Sequence, residues 1–175
     1  MRIKSYLSNT LKTSQLFRTA FALCAVVTIT VASAAGGSQP PETPVTTPQE
    51  QAVLQPIENL FDGMAKPDKT LIAAQMMPEG TATLYRNGEF TQMTLNELVE
   101  RLGNIISGPD KFEERIHNPS IHIDDKLAEA WTPYEALKNG RVDHCGTNVF
   151  ILVFHDGQWL IASVADTFRS NCSPQ

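Results

Sequence analysis

His122 and Glu129 are the two side chains whose types and spacing could best move a proton. The register predicted from the turns makes them diagonal neighbours on one sheet face, a separation that long side chains bridge. In a dry, aromatic setting a carboxylate is pushed toward its protonated form and can serve as general acid or base. The plain alternative is that Glu129 points to solvent. His144 and Asn148 are polar residues in an otherwise apolar strand, and a buried polar group needs a protein partner or a ligand. Trp131, Phe150 and Trp159 offer flat surface for a small hydrophobic or aromatic ligand, although aromatics at period two also make ordinary core.

Cys145 and Cys172 are an even pair, most simply a disulfide in an oxidising compartment. It would close a loop of about 27 residues and contribute ~3 kcal/mol. Two free thiols, a reactive Cys145 or a metal site with His144 are the rivals. His144 and Cys145 cannot form a dyad on one strand, where neighbours point to opposite faces. Neither zinc-ligand spacing, a nucleophile elbow, a phosphate loop nor a dinucleotide glycine pattern occurs. No metal or cofactor is expected, and no motif fixes a reaction, so catalysis stays open.

Residues 1–34 read as an export signal. Arg2, Lys4, Lys12 and Arg18 precede the apolar run Ala20–Val31, and Ala32-Ser33-Ala34 supplies small residues for cleavage. That run is short of the roughly 20 residues a bilayer span needs, and retention as an anchor is the competing reading. Leu23 is too bulky before Cys24 for lipid attachment. The whole chain has 14 Lys+Arg and 19 Asp+Glu, so cleavage would leave a net charge of −9. Neither nucleic acid nor an anionic membrane suits such a surface. A periplasmic or secreted location follows.

Residues 35–50 form a proline-rich linker, and the domain occupies 51–175. Thr47-Pro48 starts a helix over about 50–64, bent near Pro56. Asp68 caps a second helix that carries Leu71, Ile72 and Met76 and stops at Pro78. Thr81–Tyr85 is a strand turning at Asn87-Gly88. Thr94 and Glu97 make a capping box for a third helix with the stripe Leu95, Leu98, Val99, Leu102 and Ile106. From Phe112 to Arg169 the period is two, giving four long strands. The order is α+β, with three helices covering one face of an antiparallel sheet.

Turns set the register. Asp156-Gly157 puts Phe154 opposite Trp159, Leu152 opposite Ile161, Phe150 opposite Ser163 and Asn148 opposite Ala165. Asn139-Gly140 puts Trp131 opposite Asn148 and Glu129 opposite Phe150, and Asp124-Asp125 puts His122 opposite Leu127. One face then carries His122, Glu129, Trp131, His144, Asn148 and Phe150. The other carries Ala128, Ala130, Cys145 and Val149. A single inserted residue would move every later side chain to the other face.

The runs Leu127–Tyr134, His144–Phe150, Gly157–Ile161 and Asp166–Arg169 resemble the nuclear transport factor 2-like superfamily. More narrowly they resemble its exported bacterial branch labelled SnoaL-like or lumazine-binding. The resemblance implies a cone-shaped α+β fold with helices and a strongly curved sheet enclosing a pocket. It also implies a homodimer formed through the outer sheet face. Isomerases, dehydratases and cyclases occur in the superfamily, but none of their catalytic patterns matches this chain. The expected ligand-binding set is Trp131, Tyr134, His144, Asn148, Phe150 and Asp166. A non-catalytic interaction module is the remaining alternative.

Overall fold

The computed structural model describes residues 47–172. The expected export signal and residues 35–46 of the expected linker lie outside them. Thr47 caps α1 (Pro48–Ala65): its hydroxyl accepts from the Glu50 amide at 3.2 Å, and the Glu50 carboxylate accepts from the Thr47 amide at 2.7 Å. The helix therefore starts inside the stretch assigned to the linker. Asp68 caps α2 (Lys69–Ala74) by accepting from the Leu71 amide. Met76 is not part of α2, and Pro78 does not stop it. Both belong to β1 (Met76–Arg86), which is much longer than the expected Thr81–Tyr85. Asn87-Gly88 turns β1 into β2 (Glu89–Thr94), and the Thr94/Glu97 box starts α3 (Leu95–Ile106) as expected.

The period-two region holds five strands rather than four: β3 (Phe112–Ile116), β4 (Ser120–Asp124), β5 (Leu127–Lys138), β6 (Arg141–His155) and β7 (Gln158–Thr167). The first expected strand breaks because Pro119 has no amide hydrogen for the ladder and Asn118 sits at φ 44°. β3 and β4 consequently share one edge of β5, each pairing with half of it. The strand order is β2-β1-β7-β6-β5-β3, and β1 pairs with β7 in parallel. That pair is the exception to the expected antiparallel sheet. A parallel pair needs a long crossover, and the chain between β1 and β7 supplies one.

α1 and α3 lie on one side of this curved, unclosed sheet. Val53, Ile57 and Phe61 from α1 and Leu95, Leu98 and Ile106 from α3 meet Ala82, Ala130, Phe150, Leu152 and Ile161 from the strands. The architecture is α+β, as the alternation of periods in the sequence predicted.

Two bulges correct the predicted register. The Asp156-Gly157 turn has both residues at positive φ (48° and 83°), and the first pairs match: Phe154 with Trp159 and Leu152 with Ile161. Ala162 is then skipped, so Phe150 meets Val164 and Asn148 meets Asp166. Likewise Lys138 meets Arg141 beside the Asn139-Gly140 turn, but Asp143 is skipped and Trp131 meets Val149 instead of Asn148. The β4–β5 turn falls one residue later than predicted. His122 therefore stands directly opposite Glu129.

Candidate functional site

Alternation along β5 turns Ala128, Ala130, Thr132, Tyr134 and Ala136 inward, all of them buried. β6 does the same with His144, Asn148, Phe150 and Leu152. Between this concave face and the two long helices lies a cavity of about 260 Å³. Its body is apolar: Leu60, Phe61 and Met64 from α1, Leu98 and Leu102 from α3, Leu84, Phe150 and Val164 from the sheet.

The sheet end of the cavity is polar. Arg86 closes β1 and donates to both Asp166 carboxylate oxygens on β7, at 2.6 and 2.5 Å. Burial opposes the Arg86 charge. Hydrogen bonding and attraction from Asp166 outweigh it, and the pKa rises above its ordinary value. Asn148, only 5% exposed, donates from Nδ2 to Glu114 on β3 at 2.9 Å. Burial pushes the Glu114 carboxyl up to about 7, aided by the Asp166 charge and opposed by the Asn148 hydrogen bond and by Arg86. Glu114 is half-buried by surface area and lines the cavity. Tyr134 donates its hydroxyl to the Thr167 carbonyl at 3.0 Å, and burial raises its pKa.

His144 completes this end. Its ring stacks on Phe168 with centroids 4.4 Å apart, and Nδ1 lies 2.9 Å from the Asp143 carboxylate. The guanidinium of Arg86 covers Phe168 at 5.1 Å. Phe168 is held there because the chain after β7 pairs with β6: Cys145 and Arg169 exchange backbone hydrogen bonds at 3.0 and 2.8 Å. A Cys145–Cys172 disulfide, with Cα atoms 5.8 Å apart, fastens the same segment. Among the described residues, no group of three or more His, Cys, Asp or Glu side chains converges for a metal ion.

Of the expected site residues, Tyr134, His144, Asn148, Phe150 and Asp166 all line this cavity. His122, Glu129 and Trp131 do not. The skipped Asp143 turns Glu129 and Trp131 to the outer sheet face, together with His122. His122 is exposed, Glu129 is half-buried and Trp131 is 49% exposed. Trp159 packs at the edge of the core, away from the cavity. The sequence reading missed Glu114, Arg86 and Phe168. Glu114 did leave a signal, as an acid at the inward position between Phe112 and Ile116.

A helix-covered curved sheet with a cavity at its concave face is the arrangement of the nuclear transport factor 2-like proteins. The chain belongs to the family described as "Putative lumazine-binding", whose model matches residues 48–168. That description points to a small-molecule ligand. An NTF2-like protein of unknown function from Shewanella baltica superposes with a TM-score of 0.57 at 18% identity, over 70% of this chain and 95% of that one. A Nostoc punctiforme protein of unknown function with a cystatin-like fold gives 0.58 at 9% identity, over 70% and 93%. A Streptomyces avermitilis protein titled "putative dehydratase from the NTF2-like family" gives 0.58 at 12% identity, over 69% and 97%. These likenesses establish the fold. No curated protein matches the chain.

Proposed function

We propose that the chain is an exported small-molecule-binding protein, periplasmic or secreted, whose ligand occupies the cavity between α1, α3 and the sheet. The carrying observation is a cavity of about 260 Å³ with apolar walls and a buried polar end. Ligand pockets commonly run from ~300 Å³ upward, so this space suits a small, compact ligand. Export is supported by the basic, apolar and small-residue order of residues 1–34 and by the disulfide, a bond that persists in oxidising compartments. A homodimer through the outer sheet face is supported by Leu127 and Trp131, exposed there at 52% and 49%. Native mass spectrometry of protein purified from periplasm tests the binding role, with a thermal-shift metabolite screen beside it. A retained or screened ligand that Ala136→Trp excludes is the expected result. Finding neither a retained ligand nor any binder would sink the reading.

Glu114 favours a second reading, a cofactor-independent isomerase, dehydratase or cyclase. A carboxyl with a pKa of about 7 on the wall of a largely apolar cavity is populated in both forms at neutral pH, as acid–base catalysis requires. Glu114 would take the role that the sequence suggested for His122 and Glu129. Turnover that survives Glu114→Gln unchanged would exclude it.

A further inference from the structure

We propose that the ligand of this cavity is a small organic cation: an ammonium or amidinium group on a compact apolar body, its charged end set against Glu114 and Asn148. The proposal rests on the reading above that the cavity is a ligand site, and it specifies the chemistry of that ligand.

The hydrogen bonding at the polar end points this way. Arg86 spends three of its five N–H groups on Asp166 and the Tyr85 carbonyl, and its flat face is covered by Phe168. Tyr134 gives its hydroxyl hydrogen to the Thr167 carbonyl, and one hydrogen of the Asn148 amide nitrogen goes to Glu114 Oε1. Two acceptors stand open. Glu114 Oε2 and Asn148 Oδ1 receive no hydrogen bond from any described residue, although Asn148 is 95% buried in the sense that only 5% of it is exposed. A ligand that brings donors satisfies both oxygens.

The charges agree. β1 contributes one cation, Arg86, while β3 and β7 contribute the carboxyls Glu114 and Asp166. Tyr134 on β5 stays protonated and adds no charge. With Glu114 ionised, the end is one positive charge short. Empty of ligand, it meets that shortage by keeping a proton on Glu114. At the mouth, Glu113 is neutralised by Arg115 at 2.6 Å, and Arg101 is exposed on α3, where solvent and salt screen it. A carboxylate ligand would instead add a third negative charge beside Glu114 and Asp166. A neutral apolar ligand would leave the acceptors unmatched at a cost.

Three probes of one shape separate the possibilities: 2-phenylethylamine, 2-phenylethanol and phenylacetate, titrated calorimetrically into the purified protein. The amine is expected to bind about tenfold or more tightly than either other probe at pH 7.5, the difference a charge-assisted hydrogen bond supplies. Its affinity should rise from pH 6 to pH 8 as Glu114 ionises. At pH 7, titrations in buffers of different ionisation enthalpy should show about half a proton released per amine bound. That measurement uses the unaltered protein and does not depend on a variant folding. Glu114→Gln should keep 2-phenylethanol binding while losing both the amine preference and the proton release. Equal or tighter binding of the alcohol or the acid would overturn the cation and leave the binding role intact. Failure of all three probes would overturn the cation and count against the binding role as well.

Discussion

Glu114 ties the stability of this fold to pH. Its folded pKa of about 7 lies above the ordinary carboxyl value of 4.5, so the folded state holds the proton more tightly than the unfolded chain does. The stabilisation is complete below the unfolded value and is lost as pH rises through about 7. Urea unfolding of wild type and Glu114→Gln at pH 5, 6, 7 and 8 should show the difference. The wild type weakens across that window. The variant, with no charge to bury, overtakes it by about 1–2 kcal/mol at pH 8. Arg86→Met should act in the opposite sense and cost about 2–4 kcal/mol, because it leaves the Asp166 carboxylate, 8% exposed, without its partner. At this scale the sequence was half legible. His144, Asn148 and Phe150 sit in an apolar alternation that already placed them on one face, whereas Tyr134 shares the alternation of Ala128 and Ala130, which the predicted register put on the other. Arg86 could not be read, because its partner lies on a strand that pairs with it in parallel across a separation of 80 residues.

Elements with a local chemical signal were legible, and those set by an inserted residue were not. The Thr94/Glu97 box, the Asn-Gly and Asp-Gly turns and the stripe of α3 all came through as read. Asp143 and Ala162 are bulge residues that carry no glycine or proline mark. Each still moved one strand by a residue, which sent Glu129 and Trp131 to the outer face and brought Asp166 beside Asn148. Pro119 is visible in the sequence and, lacking an amide hydrogen, marks where β3 and β4 part. Thr94→Ala should destabilise the domain by about 1 kcal/mol in chemical denaturation, the usual worth of an N-cap. Gly146→Ala should cost more, about 2–4 kcal/mol. A Cβ at 146 would collide with the Thr167 carbonyl and stand 2.7 Å from the Tyr134 ring. The same change would push Tyr134 into the cavity, so ligand affinity should fall together with stability.

For the molecule as a whole, α+β order and helix-on-sheet layering followed from the change of period along the chain, while the strand order did not. The Cys145–Cys172 bond closes a loop of 27 residues and should contribute about 3 kcal/mol, read as a lowered melting temperature under reducing conditions. Because it also fastens the segment bearing Phe168, reduction should weaken ligand binding at temperatures where the domain stays folded. Trp131→Glu, placed on the exposed outer sheet face, should convert the proposed dimer to a monomer in sedimentation velocity. The parallel β1–β7 pair has a consequence of another kind, in time rather than in space. β1 has one neighbour in β2 as soon as the hairpin is made, but its other edge stays open until residues 161–167 arrive. So late a closure makes for slow folding, since the longest loop must be ordered before its contacts repay the cost. A ribosome-bound chain truncated before β7 should therefore remain protease-sensitive throughout. For a chain exported as proposed above, the delay would keep it threadable until the crossing is done.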